Sequence, residues 1–205
     1  MKTQVLPVNA QSIALAADLL RRGELVALPT ETVYGIGVAV GKAASPDVLF
    51  DIKKRDHGKP VAWLVGDVDD LSRYGRAVPD FACALARTFW PGPLTLIVKA
   101  SDAVPPAFRS AEGTIGLRMP NNPTALELIR RVGVPLATTS ANVSGCKPPK
   151  SFDDIDRDLL DRVAAFLDDD QEKSGVASTI LDCTKEHPTV VREGAITIQD
   201  IAALS

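Results

Sequence analysis

Two short apolar runs, Leu25 to Leu28 and Val134 to Ala137, each break into a stretch rich in hydroxyls and glycine. The first continues as Pro29-Thr-Glu-Thr-Val-Tyr-Gly-Ile-Gly37 and the second as Thr138-Thr-Ser-Ala-Asn-Val-Ser-Gly145. This pairing constrains the fold more than any other feature of the chain. A short apolar run bounded by small polar residues reads as a buried strand reaching its end. In open α/β sheets, ligands collect in the crevice at strand ends. Two such ends in one small chain predict one site built from both.

The 205 residues suit one domain, taken here as 1–205 with no separate C-terminal domain. A hydrophobic share of 45% against 24% charged residues is ordinary for a globular protein able to bury a core without disulfides or metals. The net charge of −3 hides an uneven distribution. Lys53, Lys54, Arg55, His57 and Lys59 form a basic knot, whereas Asp153 to Asp170 is strongly acidic. A local basic cluster in an acidic chain fits a small anionic ligand better than a long nucleic-acid track. Cys83, Cys146 and Cys183 are far apart, and no pair has metal-ligand spacing, so structural zinc and a disulfide scaffold are not expected. The N-terminus lacks a signal-peptide core, and no run approaches the roughly 18 apolar residues of a membrane span. The chain reads as cytoplasmic.

Ile13, Ala16, Ala17 and Leu20 recur at helical spacing, in a helix over 11–22 that Gly23 can end. Glu24 to Pro29 follows as a strand. Ser45-Pro46-Asp47 reads as a helix start that carries Val48, Leu49 and Ile52 inward and delivers Lys53 to Arg55 at its end. Further helices are expected at Asp67 to Tyr74, Pro79 to Phe89, Pro123 to Val132 (capped by Asn122) and Thr197 to Leu204. Further strands are expected at Val61 to Val65, Leu94 to Lys99, Thr114 to Arg118, Pro135 to Thr138, Val163 to Leu167, Ser178 to Asp182 and Thr189 to Arg192. Elements interleave without strict alternation, so the fold class is α/β of the α+β type with a mixed sheet.

Each polar cluster has a functional and a purely structural explanation. Lys53 and Arg55 can converge on a phosphate chain if the helix ends between them, or complement the helix dipole in solvent. Thr139, Ser140, Asn142 and Ser144-Gly145 can wrap phosphate oxygens, or stabilise their own turn. Pro29 to Gly37 can cradle a ligand between Thr30, Thr32 and backbone, with Tyr34 stacking and Glu31 favouring an amine or a metal. Alternatively it is a strand-loop-strand with glycine turns. Arg118, at a strand end, is a natural clamp for a carboxylate or phosphate, or else a strand arginine that is simply paired or solvated. No Ser-His-Asp or Cys-His set stands out, so an enzyme built this way would work by positioning and electrostatics.

Taken in order, several phrases resemble the YrdC family (YrdC, YciO and YwlC-like proteins), whose members include the threonylcarbamoyl-AMP synthases. They are Pro29 to Gly37, Lys53-Lys-Arg55, Pro91-Gly-Pro-Leu-Thr95, Gly116-Leu-Arg118-Met-Pro120, Ser140-Ala-Asn142-Val-Ser-Gly145, Ser178-Thr179 and Arg192-Glu-Gly-Ala-Ile196. The resemblance implies a twisted open sheet with a basic concave face, and a reaction of L-threonine, bicarbonate or CO2, and ATP. The products would be threonylcarbamoyl-AMP and pyrophosphate, for a tRNA modification completed by a separate complex. It implies catalytic roles for Lys53, Arg55, Ser140 and Asn142. ATP would be held by Lys53, Arg55, Lys59, Thr138, Ser140, Asn142 and Arg192. Threonine would be held by Thr30, Thr32, Tyr34, Arg118, Thr138 and Ser178. Mg²⁺ would arrive on the ATP phosphates without a dedicated protein site.

The chain departs from the family at Asp56-His57-Gly58-Lys59-Pro60, where Lys59 takes the nucleotide-contacting position. Leu64 stands where some synthases carry a histidine, and Pro148 where some carry a serine that touches ATP. The chain corresponds to the family's short form. Two rivals follow: an RNA-binding module for double-stranded RNA or tRNA, and a YciO-like paralogue that binds ATP with different or weaker activity. Oligomeric state stays open, a homodimer included, as does direct contact with tRNA.

Overall fold

The computed structural model describes residues 3–43, 45–53, 61–143, 146–169 and 171–203. Among them, ten strands join in one sheet: β1 (Gln4–Pro7), β2 (Val26–Leu28), β3 (Gly35–Ala39), β4 (Ala62–Leu64), β5 (Leu94–Lys99), β6 (Thr114–Arg118), β7 (Leu136–Ser140), β8 (Ala165–Asp168), β9 (Thr179–Asp182) and β10 (Thr189–Arg192). The helices are α1 (Ala10–Arg21), α2 (Asp47–Lys53), α3 (Asp70–Tyr74), α4 (Asp80–Phe89), α5 (Pro123–Val132), α6 (Arg157–Leu160) and α7 (Ile198–Ala202). Strand order is β1-β8-β2-β3-β7-β4-β6-β5-β9-β10. The pairs β1·β8, β2·β8, β4·β6 and β5·β9 are parallel and the others antiparallel, so the sheet is mixed as expected.

Successive side chains on a strand point to opposite faces, and here that alternation divides the core in two. One face carries Ala27, Ile36, Val38, Trp63, Leu96, Leu117, Ala137, Phe166 and Leu181, which pack with residues of α2, α3 and α4 in one cluster. The other face carries Val26, Leu28, Ala39, Leu64, Leu136, Ala165 and Leu167, packed against α1 and α5. This second cover stops partway along the sheet. Beyond Leu64 the same face continues into β6, β5, β9 and β10 with neither helix over it, and there the cavity described below opens.

Local chemistry sets the element ends. Asn122 Oδ1 accepts from Ala125 N at 2.9 Å, and Gly133, at φ 80°, closes α5. Ser45 Oγ accepts from Asp47 N at 3.3 Å ahead of α2. Trp90 Nε1 donates to Leu94 O at 2.7 Å and fixes the turn into β5.

Three features differ from the sequence expectation. Val48 is 38% exposed, and Phe50 takes the inward position with Leu49 and Ile52. The elements β1, mostly exposed, and α6, one turn long, go unread because neither presents an apolar pattern in the sequence. β3 was masked by its glycines, which read as turn formers. Gly35 and Gly37 instead sit inside a strand, where they spare space: a Cβ on Gly37 would lie 2.9 Å from Thr138 Cγ2 and 3.3 Å from Leu28 Cδ2. Among the described residues, no helix is long and apolar enough to cross a membrane.

Leu20 is 0% exposed between α1, α5 and the sheet, at a distance from the cavity lining. Leu20→Ala should therefore destabilise the fold by about 2–5 kcal/mol, measured as a lower urea midpoint at unchanged slope.

Candidate active site

The two phrases that opened the sequence analysis meet side by side. β3 begins at Gly35 and β7 ends at Ser140, and these residues are paired in an antiparallel ladder, with Gly37 opposite Thr138. Ladder registers then carry the same face across the sheet: Thr138 to Ala62, Ala62 to Gly116 and Leu64 to Arg118, with Thr95 opposite Ile180 and Ile180 opposite Arg192. Small residues at 35, 37, 62 and 116 keep this part of the face shallow. A cavity of about 290 Å³ results, lined by Thr30, Thr32, Lys53, Thr138, Ser140 and Arg192 together with Arg118, Ser178, Thr95, Leu64 and Pro148. It lies over the sheet face as well as at the strand ends. Its charged lining residues among those described are cations: Lys53, Arg118 and Arg192.

Lys53 ends α2 and is 5% exposed. Its Nζ lies 2.9 Å from Ser140 O, 3.1 Å from Ser140 Oγ, 3.2 Å from Thr139 Oγ1 and 3.4 Å from Asn142 Oδ1. An ammonium has three protons, so these acceptors share it. A hydroxyl that accepts from Lys53 keeps its own proton for another acceptor, which makes Thr139 and Ser140 donors toward an anion. Asn142 stands behind this wall. Its Oδ1 faces Lys53 and its Nδ2 donates to Cys146 O at 2.5 Å, so its amide is engaged in bracing the loop, and the side chain is absent from the lining. Thr138 lines the cavity, with its Oγ1 3.4 Å from Ala62 O. Arg55 and Lys59 lie outside the described residues.

The opposite end gathers hydroxyls and guanidiniums. Thr30 Oγ1 accepts from Val33 N at 3.2 Å and Thr32 N at 3.3 Å, and it lies 2.9 Å from Thr32 Oγ1, a turn held by its own side chain. Arg118 Nη2 donates to Thr32 Oγ1 at 3.0 Å, and Nε donates to Gly92 O at 3.3 Å. Glu31 Oε1 is 2.9 Å from Arg118 Nη2, an ion pair, yet it lies off the N–H direction, and neither buried carboxylate oxygen accepts a hydrogen bond. The clamp read from the sequence is thus already engaged by the chain's own carboxylate. Arg192 Nε and Nη2 donate to Ser178 O at 3.1 and 2.7 Å, and Ser178 Oγ lies 3.0 Å from Thr95 Oγ1. Burial first, and the charge of Arg118 second, hold the Arg192 guanidinium below the usual arginine range. An anion placed near both guanidiniums relieves both effects.

Tyr34 does not reach this cavity. It shares its side of β3 with Ile36 and Val38, so its ring enters the opposite core layer, 4.9 Å from Phe166, with its hydroxyl donating to Asp168 Oδ1 at 2.9 Å. Burial, followed by the Asp168 hydrogen bond, raises its pKa far above the ordinary phenol. Sequence reasoning passed over Thr95, Ala177 and Ile180 as site residues. Strand parity marks Thr95 and Ile180 once the register is known, but nothing within β5 or β9 alone says which of their two faces is the open one. Arg192 reaches the cavity through an irregularity: β10 shifts register between Val190 and Arg192, leaving Val191 outside the pairing and 58% exposed. Regular pairing would have set Val191 opposite Ile180 and turned Arg192 to the other face.

A mixed α/β sheet with a cationic, hydroxyl-lined cavity on one face defines an anion-binding class of site. The family model Sua5_yciO_yrdC, described as "Telomere recombination", matches residues 18–194, and the chain belongs to this family. It is 38% identical over 203 residues to a threonylcarbamoyl-AMP synthase of Bacillus subtilis, covering 98% of this chain and 59% of the relative. A Mycobacterium tuberculosis relative is 38% identical, with 95% of this chain and 89% of the relative covered. The structure is also similar to that of Pyrococcus abyssi Sua5 complexed with L-threonine (TM-score 0.91, 32% identity, 100% of this chain and 61% of that one). E. coli YciO matches with TM-score 0.88 at 25% identity, over 97% of this chain and 99% of that one. The chain thus spans about three fifths of the length of the longer relatives.

The cavity wall at Ala177 and Ser178 rests on a close backbone approach. A Cβ on Gly194 would fall 2.2 Å from Ala177 O and 2.6 Å from Ser178 C. Gly194→Ala should cost about 1–3 kcal/mol through this overlap, seen as a lower melting temperature.

Proposed function

We propose that the chain is an L-threonylcarbamoyladenylate synthase, a nucleotidyltransferase that uses ATP. The observation that carries this reading is the two-ended cavity. One end holds Lys53 and the hydroxyls of Thr138 to Ser140; the other holds Arg118, Arg192, Thr30, Thr32 and Ser178. Relatives named as threonylcarbamoyl-AMP synthases, and a similar structure complexed with L-threonine, support the assignment.

In this reading, Lys53, Ser140 and Thr138 bind the triphosphate, with Mg²⁺ carried on its oxygens. Arg55 and Lys59 would join them, and Asn142 acts by bracing the segment that carries Ser140. Threonine lies toward Thr30, Thr32 and Ser178 with its carboxylate near Arg118, and Arg192 contacts the nucleotide. The amine adds to CO2 and loses a proton, giving a carbamate. A carbamate oxygen then attacks the α-phosphorus in line, the bond from that phosphorus to the bridging oxygen breaks, and pyrophosphate leaves. Such a step needs alignment and charge neutralisation more than a strong base. A separate transfer reaction would then place the threonylcarbamoyl group on tRNA.

Leu64, an apolar residue on the cavity border, favours a second reading, the YciO-like paralogue with a different ATP-dependent activity. One assay decides between them: pyrophosphate release from ATP, with L-threonine and bicarbonate each supplied or withheld. Release should require both, and release indifferent to threonine sinks the synthase assignment. Lys53→Met should lower kcat about 10²–10³-fold, the scale on which loss of one preorganised donor to developing charge acts elsewhere. The same change should lower stability by about 1–3 kcal/mol, because Ser140 O and its neighbours lose their donor; a thermal melt checks this.

A further inference from the structure

Away from the cavity, a polar network is buried at the end of β8. Lys173 is 2% exposed, and its side chain is fully covered. Its Nζ pairs with Asp169 Oδ1, donates to Gln171 O at 2.7 Å and lies 4.8 Å from the Tyr34 ring centroid. The second Asp169 oxygen accepts from Asn122 Nδ2 at 2.9 Å, the same side chain that caps α5. The Tyr34 hydroxyl closes the group on Asp168. A dry ion pair is a poor source of stability, since desolvating two charges offsets most of their attraction. Its value lies in geometry, because a fully satisfied buried pair allows one arrangement of the chain.

The chain it arranges leads straight to the cavity. Immediately after Lys173, Ser174 N donates to Glu31 O at 3.0 Å and Gly175 N to Thr32 O at 2.8 Å. Gly175, at φ 71°, makes the turn. Ala177 and Ser178 then enter the lining, and Ser178 receives Arg192. The Glu31 and Thr32 carbonyls belong to the loop whose side chains meet Arg118. One buried pair therefore sets the spacing of both walls at this end.

We propose that Lys173, acting through Asp169, is a positioning residue for the amino-acid end of the cavity; this rests on the synthase reading above. Steady-state pyrophosphate release tests it, with L-threonine and ATP varied in turn, in wild type, Lys173→Met and the double variant Lys173→Met/Asp169→Asn. The double variant removes both charges together, so it should retain most of the melting temperature that Lys173→Met loses. In both variants KM for threonine should rise about tenfold or more, while KM for ATP and kcat at saturating threonine stay within about twofold, a tenfold change being the scale of one well-placed contact. Equal rises in both KM values, an unchanged KM for threonine, or a double variant that does not fold would overturn the proposal. Wild type lacking threonine-dependent release would instead defeat the synthase reading. Hydrogen–deuterium exchange decides the positioning role even then. The Ser174 and Gly175 amides should exchange faster in the double variant while β7 stays protected, and unaltered exchange there overturns the role.

Discussion

The rest of the structure depends on leaving half of one sheet face uncovered. Helices α1 and α5 seal that face from β8 as far as Leu64, and beyond it the sheet must be stabilised without a helical lid. The solution is polar. Among the described residues, each cation lining the opening is held by partners from the chain itself: Lys53 by the 139–142 segment, Arg118 by Thr32 and Glu31, and Arg192 by Ser178. A buried charge without such partners would be costly, and with them the cavity stands ready before any ligand enters. This is preorganisation, the source of most electrostatic catalysis.

The Arg118–Glu31 pair shows the limit of that arrangement. The guanidinium is neutralised in advance, but the Glu31 oxygens accept no hydrogen bond. Both oxygens are buried and Glu31 is absent from the cavity lining, so this imbalance is internal to the wall.

Much of this was legible in the sequence, wherever the chemistry is local. Polar punctuation marked the ends of β2 and β7, and the resemblance grouped Lys53, Thr138, Ser140, Arg118 and Ser178, all of which the fold brings to one cavity. The unread parts depend on register and parity, which are properties of pairs of strands. Tyr34 belongs to a ligand-binding phrase by position and to the core by parity. Gly35 and Gly37 resemble a turn until Gly37 is known to leave space for Thr138 and Gly35 to lie against the Thr139 carbonyl. Asn142 sits in the loop signature yet braces the wall from behind, because Cys146 O occupies its amide.

The slipped residue in β10 has a consequence for how such a chain can change. Hydropathy along 189–192 is the same whether Val191 is slipped or paired, and the strand would close the sheet either way. Yet with every residue kept and only the slip removed, Val191 would pair with Ile180 and Arg192 would turn to the other face, exchanging arginine for valine on the cavity wall with no substitution at any site position. In this family member, a one-residue change of register at an edge strand is equivalent to removing a positive charge from the lining, so the character of the cavity is encoded partly in counting.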